Sequence, residues 1–198
     1  KKLKDDISKK KKTIPPFIST ILFDSPLIQL ETSMVWTQSF SIKKDDAHTF
    51  SKKKNNKIKI GYFSSNFRSH ADGYLTHRLY DFHDRSKFEV YGFYFGPLLN
   101  SEDKLQNKIF NSFDKFVDVS LMDNSQVKKL AKDLNIDIAI DLMGHSGGDL
   151  NRFGIFLNRV APIQICFMGF PCTTGSNTID YLVADKLLIP EKIQKFYS

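Results

Sequence analysis

The sequence predicts an α/β protein built on a Rossmann-like, doubly wound and mostly parallel sheet. From residue 57 onward, apolar segments of strand length alternate with segments that carry helical periodicity or a helix cap. Several strand-like segments end in glycine or small polar residues, as strands do at the ligand-binding edge of such a sheet. This alternation is typical of right-handed βαβ units, which place parallel strands side by side beneath covering helices.

The elements of this lobe are predicted in chain order. The strands are expected at 57–65, 88–96, 115–119, 136–143, 163–168 and 180–185. The helices are expected at 71–82, 102–113, 124–134 and 149–158. Because ligands of doubly wound sheets bind beyond the carboxyl ends of the strands, the loops at 64–70, 96–97, 144–148 and 169–175 should share one edge.

Residues 1–56 form a separate, lysine-rich leader with a linking helix, and residues 57–198 form the Rossmann-like lobe. Residues 1–13 are expected to fray, and residues 43–56 read as a polar linker. A helix is predicted over 24–42, packing on the lobe or on an upstream element. Its expected apolar stripe consists of Leu27, Leu30, Met34 and Val35.

Charge argues against a nucleic-acid-binding role. Of the net charge of +7, residues 1–59 carry +8 and the remainder −1, so the basicity belongs to the leader. No aromatic-interleaved basic face accompanies the lysine tracts. No apolar run approaches the roughly 20 residues that span a bilayer, so we expect no membrane partner and a cytoplasmic protein. Cys166 and Cys172 lack partners at zinc-like spacing and are expected to be reduced thiols, with no metal site.

The strongest candidate for a site is the turn after the fifth predicted strand. An apolar run stops at Gly169 and continues as Phe170, Pro171, Cys172, Thr173 and Thr174. Small residues let a ligand approach the backbone, and the hydroxyls can hydrogen-bond to it. Taken alone, the segment is more simply read as a strand followed by a turn, so the surrounding sequence must decide.

Two other loops carry candidate residues. His70 follows the first strand and leads into a helix, where it could transfer a proton or simply cap that helix. Gly144 and His145 open a glycine-rich loop after the fourth strand. That loop could cradle a phosphate or a sugar, or be a tight turn with His145 in solvent. Asp141, just before it, could orient a loop group or satisfy backbone donors.

Four segments in the same order resemble the protein O-linked N-acetylglucosamine transferase family (glycosyltransferase family 41), which includes plant SPINDLY proteins and bacterial relatives with tetratricopeptide repeats. The Ala161-Pro-Ile-Gln164 stretch and the Gly169-Phe-Pro turn are the most specific. The segments are 59–70, 83–91, 137–147 and 159–175.

The resemblance implies the amino-terminal lobe of a GT-B enzyme that transfers sugar with inversion and without a metal. The donor would be a nucleotide sugar, with UDP-N-acetylglucosamine as the first candidate and another hexose or GDP-linked fucose as alternatives. The acceptor would be a Ser or Thr hydroxyl of a protein, and no cofactor is implied. His70 would be the catalytic-side histidine. The sugar pocket would be shaped by Gly144, His145, Gly169, Phe170, Pro171, Thr173 and Thr174. Helical repeats would precede this lobe and a second lobe would follow it, so residues 1–198 alone should lack turnover.

Three departures from the family pattern keep a second hypothesis open. Asn66 stands where animal members have an acid, a histidine that animal members carry before the first strand has no counterpart at 16–20, and Cys172 stands where glycine is frequent. A degenerate, non-catalytic Rossmann-like module for binding or assembly would also fit these changes. Retention of His70 and of the Gly169 turn favours the enzyme.

Overall fold

A single parallel sheet organises the computed structural model, which describes residues 2–40 and 57–197. Its six strands are β1 (Ile58–Ser64), β2 (Phe88–Tyr94), β3 (Lys115–Asp118), β4 (Ile138–Asp141), β5 (Ile163–Phe167) and β6 (Tyr181–Val183). They lie in the order β3-β2-β1-β4-β5-β6, and every neighbouring pair is parallel. This order reverses direction beside β1 and confirms the predicted doubly wound fold.

Helices cover the sheet and precede it. The α-helices are α1 (Lys2–Ser8), α2 (Pro16–Leu22), α3 (Pro26–Gln38), α4 (Ala71–Thr76), α5 (Lys104–Asn111), α6 (Asn124–Asp133) and α7 (Gly154–Leu157). Short 3₁₀ helices lie at Leu79–Phe82, Gly148–Leu150 and Glu191–Phe196. The helix predicted over 71–82 is therefore interrupted, and the one predicted over 149–158 divides in the same way. By contrast, α6 begins where expected, since Asp123 and Gln126 form a capping box.

The hydrophobic core has two halves, one on each face of the sheet. One face buries Phe63 and Phe93 under α6 and α7. The opposite face buries Tyr62 and Tyr94 with Tyr80 of the first 3₁₀ helix. Because successive strand residues point to opposite faces, the near-continuous apolar strands of the sequence supply both halves.

Glycines in the central strands make room for aromatic rings. A Cβ on Gly92 would lie 2.5 Å from the ring of Phe113. A Cβ on Gly61 would lie 2.9 Å from the ring of Phe93, which stacks on Phe63 with ring centroids 4.3 Å apart. The rings therefore lie directly over the strand backbone.

The Gln164 side chain ties β5 to its flanking segments. Its Oε1 accepts a hydrogen bond from the Val160 amide, and its Nε2 donates to the carbonyls of Phe156 and Thr178. Nearby, the Arg159 guanidinium binds both carboxylate oxygens of Asp180. Arg159 and Gln164, both in the motif at 159–164, thus stabilise β5, the strand that precedes the candidate turn.

The amino-terminal helices differ from expectation. Residues 2–8 form a helix that buries Ile7, although this segment was expected to fray. In α3 the buried side chains are those of Thr32, Ser33 and Thr37, whereas Leu27 and Met34 of the predicted apolar stripe are exposed. The reason is the docking surface: α3 packs closely on a polar turn near residue 174, and the Thr37 hydroxyl donates to the Thr174 carbonyl. The predicted linker at 43–56 and the end of the predicted helix at 41–42 lie outside the described residues.

Phe63→Ala should lower the free energy of unfolding by about 3–5 kcal/mol, because the side chain is fully buried and its removal leaves a cavity. Urea denaturation followed by circular dichroism measures this change. Phe82→Ala is the matched control, since that ring is 74% exposed and should cost less than about 1 kcal/mol. Equal losses for the two variants would contradict this assignment of the core.

Candidate functional site

An open cavity of about 670 Å³ lies at the carboxyl ends of β5 and β6. Its walls are residues 167–172, residues 182–185 with 188–189, and Asp72 and Leu75 of α4. The lining is mostly apolar, with Asp72 and Asp185 as its charged side chains. This is the edge where the sequence placed a ligand, and its size is ordinary for a small-molecule site.

The turn at Gly169 forms one wall of the cavity. Met168 and Gly169 both have positive φ, at 60° and 64°, and the Phe170 amide donates to the Met168 carbonyl over 2.6 Å, which closes a three-residue γ-turn. A Cβ on Gly169 would lie 2.0 Å from the Leu142 carbonyl oxygen. Both the backbone conformation and the space therefore require glycine.

The tight turn brings Phe170 against the loop after β4. A Cβ on Gly144, which has a φ of 50°, would lie 2.7 Å from the Phe170 Cβ. The Phe170 ring also meets the His145 ring edge to face, with centroids 5.5 Å apart. The turns after β4 and β5 consequently pack as one unit.

Asp141 holds the first part of the β4 loop. Its Oδ1 accepts from the Met143 amide at 2.9 Å, and its Oδ2 accepts from the Gly144 amide at 3.1 Å. Burial raises the pKa of Asp141 to about 6, although the two hydrogen bonds oppose that shift. Of the two roles open for Asp141, the geometry supports satisfaction of backbone donors.

His145 is buried beneath α3 rather than exposed to solvent. Its Nε2 donates to the Thr174 carbonyl over 2.7 Å, and the Thr37 hydroxyl donates to the same oxygen over 2.9 Å. Its Nδ1 is buried and has no hydrogen-bond partner among the described residues. Because protonation would place an unpaired charge there, burial lowers the pKa of His145 to about 4.

His70 caps α4 beside the cavity. Its Nδ1 accepts a hydrogen bond from the Asp72 amide at 3.2 Å and lies 3.6 Å from Asp72 Oδ2. That same Oδ2 accepts from Asn66 Nδ2 at 2.8 Å. The side chains of Asn66, Asp72 and His70 therefore form a connected set, although only Asp72 among the three lines the cavity.

The predicted site residues fall into two groups. Gly169, Phe170 and Pro171 line the cavity. Thr173 and Thr174, like His145, are buried and lie outside the lining formed by the described residues. Sequence reasoning missed Asp72, Leu182 and Leu188. For Asp72 a signal existed, because it lies two residues after His70, in the first turn of the helix that His70 caps.

Three further features concern all the residues that the structure describes: metal-ligating groups, membrane-spanning helices and reactive thiols. Within residues 2–40 and 57–197, no group of three His, Cys, Asp or Glu side chains is arranged to hold a metal ion. None of the helices in these two ranges has the length and apolar character needed to cross a membrane. Cys166 and Cys172 are buried free thiols, and burial raises the pKa of Cys172 to about 11.

Comparison with known proteins identifies the family. The model of glycosyl transferase family 41 matches residues 30–198, which include α3 from its middle onward together with the whole sheet. The chain belongs to glycosyl transferase family 41. This confirms the resemblance inferred from the four sequence segments.

Relatives within family 41 agree with this assignment. The chain is 35% identical over 142 residues to the probable UDP-N-acetylglucosamine–peptide N-acetylglucosaminyltransferase SEC of Arabidopsis thaliana, covering 72% of this chain and 14% of that protein. It is 32% identical over 184 residues to the Caenorhabditis elegans UDP-N-acetylglucosamine–peptide N-acetylglucosaminyltransferase, covering 91% of this chain and 15% of that protein. The chain thus spans about one seventh of the length of these curated relatives.

A solved structure of similar fold belongs to a lysine-to-methionine mutant of Thermobaculum terrenum O-GlcNAc transferase. It superposes with a TM-score of 0.79 at 25% identity, covering 91% of this chain and 35% of that one. This likeness confirms the Rossmann-like fold of the lobe. The predicted roles of individual site residues stay predictions.

Gly169→Ala should destabilise the family 41 lobe by several kcal/mol, because it adds a backbone clash to an unfavourable positive φ. Thermal or urea unfolding measures the loss. Gly148→Ala is the matched control, since its φ is 54° and nothing lies within 4 Å of the added Cβ. The control should cost only about 1–2 kcal/mol. A loss for Gly169→Ala no larger than that of the control would contradict the close approach.

Relative to His145→Gln, the wild-type protein should lose stability as the pH falls from 6.5 toward 4. The unfolded chain binds a proton near 6.5 but the folded chain binds it only near 4, so His145 favours folding above this window and loses that contribution within it. The full difference is about 3 kcal/mol. Urea midpoints measured at pH 7.5 and 4.5 for both proteins test this.

The wild-type protein must be compared with His145→Gln because the buried Asp141 also affects stability in this pH range. Because its pKa is raised to about 6, its own contribution changes in the opposite direction over the same window. Glutamine can still donate to the Thr174 carbonyl but does not titrate. A stability difference between the two proteins that stays constant with pH would contradict the buried, neutral state of His145.

Proposed function

We propose that this chain is the amino-terminal catalytic lobe of a protein O-GlcNAc transferase, which moves N-acetylglucosamine from UDP-N-acetylglucosamine to Ser or Thr hydroxyls of proteins. The carrying observation is the cavity whose wall is the Gly169-Phe170-Pro171 turn, in a chain of family 41. Its position at the carboxyl edge suits a nucleotide sugar. The names of the relatives in Arabidopsis thaliana and Caenorhabditis elegans support this donor and a peptide acceptor.

The proposed reaction is a direct, inverting displacement without a metal ion. The acceptor hydroxyl oxygen bonds to the anomeric carbon while the bond from that carbon to the diphosphate breaks. The bonding electrons leave with the diphosphate, and the hydroxyl proton passes to a base. Stabilisation of the leaving diphosphate is expected to be the largest contribution to rate, and we assign it to a second lobe.

His70 is proposed to orient the substrates by donating a hydrogen bond. Since Nδ1 accepts from the Asp72 amide, the proton of the neutral ring is carried by Nε2. A neutral imidazole in this tautomer can donate to a phosphate or hydroxyl oxygen, but it cannot accept a proton through Nε2. The geometry therefore favours an orienting role for His70 over that of a general base.

The test uses the full-length protein that contains this chain. Incubation with UDP-N-acetylglucosamine labelled in the sugar and with a Ser/Thr peptide should give a labelled glycopeptide. The β-anomer should be seen by NMR, and the rate should be unaffected by EDTA. Transfer that requires a divalent metal, or that retains the α-anomer, would contradict the mechanism.

His70→Ala should lower kcat by about 10²-fold or more, in the range for loss of a hydrogen-bond donor positioned at the reacting groups. His77→Ala is the control, because His77 follows α4 and its Nδ1 interacts locally with the Tyr74 carbonyl at 2.8 Å. It should retain wild-type kcat. Folding of the full-length protein without binding or transfer of any nucleotide sugar would instead favour the non-catalytic module.

A further inference from the structure

The carboxylate of Asp72 is the charged group of α4 that faces the candidate cavity. Asp72 lines the cavity together with Gly169, Phe170 and Pro171, and its side chain is 18% exposed. A carboxylate in a mostly apolar cavity is costly unless it is hydrogen-bonded. The hydrogen-bond partners of the two Asp72 carboxylate oxygens therefore indicate what this carboxylate binds.

One of the two carboxylate oxygens is fixed by the protein. Asp72 Oδ2 accepts the 2.8 Å hydrogen bond from Asn66 Nδ2, and Asn66 is itself only 6% exposed. The other amide atom of Asn66, Oδ1, accepts from the Ser65 hydroxyl at 3.2 Å, which sets the orientation of the amide. The nitrogen of Asn66 is thereby directed at Asp72.

The second oxygen has no such partner. Among the described residues, Asp72 Oδ1 takes part in no hydrogen bond or ion pair. Gly73 keeps this part of α4 close to the loop after β1, because a Cβ there would lie 2.1 Å from the Arg68 carbonyl oxygen. The close approach of α4 to this loop thus positions Asp72 and Asn66 orients its carboxylate, whose Oδ1 stays available as an acceptor.

We propose that Asp72, oriented by Asn66, is a substrate-binding residue whose Oδ1 accepts a hydrogen bond from a hydroxyl of the ligand in the cavity. This inference rests on the proposed glycosyl transfer, in which both the donor sugar and the acceptor side chain carry hydroxyl groups. In this proposal, the Asn66 amide orients the Asp72 carboxylate by donating to it. An aspartate at position 66 would place two carboxylates 2.8 Å apart, whereas the amide donates.

The test measures binding and transfer by the full-length protein. Asp72→Asn keeps the shape of the side chain but removes its charge, so kcat/KM should fall by about 10- to 100-fold, as for loss of a hydrogen bond to a charged group. Asp81→Asn is the control, since Asp81 is an exposed carboxylate outside the cavity lining. A change of less than twofold in a folded Asp72→Asn protein would overturn the inference.

Two arms of the experiment distinguish the source of the hydroxyl. If the sugar supplies it, calorimetry should show that Asp72→Asn weakens binding of UDP-N-acetylglucosamine but not of UDP. If the acceptor supplies it, donor affinity should be unchanged and the KM for the peptide should rise. Either result supports the role of Asp72.

An exchange variant controls for folding. Asn66→Asp alone should lower the Tm through repulsion between the carboxylates, and Asn66→Asp combined with Asp72→Asn should restore it. The exchange variant should stay defective in transfer, since its carboxylate lies at a buried position outside the cavity lining. Wild-type kcat/KM in the exchange variant would overturn the inference, whatever the stability of Asp72→Asn. A wild-type protein that neither binds nor transfers would overturn the proposed function, and the role of Asp72 with it.

Discussion

The close approach of Gly169 to the carboxyl end of β4 is the constraint on which the candidate site depends. With the Leu142 carbonyl where a Cβ would otherwise lie, the chain leaving β5 must turn within three residues. That turn presses Phe170 onto Gly144 and His145, which makes one rigid wall from two loops. The cavity is the space left on the far side of this turn, bounded by β6 and the start of α4.

A second layer of support comes from α3. The helix lies so close to the turn near residue 174 that a Cβ on Gly175 would be 2.5 Å from the Met34 amide nitrogen. Its Thr37 hydroxyl shares the Thr174 carbonyl with His145, so a helix before the lobe is hydrogen-bonded to the loops behind the site. The contact is close-fitting, with hydrogen bonds from Thr37 to the Thr174 carbonyl and from Cys172 to Gln29, and the buried face of α3 carries hydroxyl side chains in place of the predicted apolar stripe.

Predictability varied with the kind of information that each element required. The ends of the strands were predicted to within about three residues, because a strand buried on both faces has a continuous apolar sequence that can be recognised without its neighbours. The stripe on α3 was wrong, since the helix docks on a polar turn that no local pattern announces. For His145, the sequence left a cradle and a solvent-exposed turn open. The structure makes the loop a tight turn but buries the ring, because α3 covers it.

The residues of the sequence by themselves determined the doubly wound fold and its family, and they singled out the Gly169 turn as a candidate site, since these depend on periodicity and on short motifs. The tertiary structure alone decided that Asp72 lines the cavity while Thr173, Thr174 and His145 are buried outside it. It also shows that Asn66, which stands where animal members of the family have an acid, donates a hydrogen bond to the Asp72 carboxylate. The reason is distance along the chain: Thr37 and His145 lie 108 positions apart, and only packing of α3 on the sheet edge brings their polar atoms to 3.2 Å.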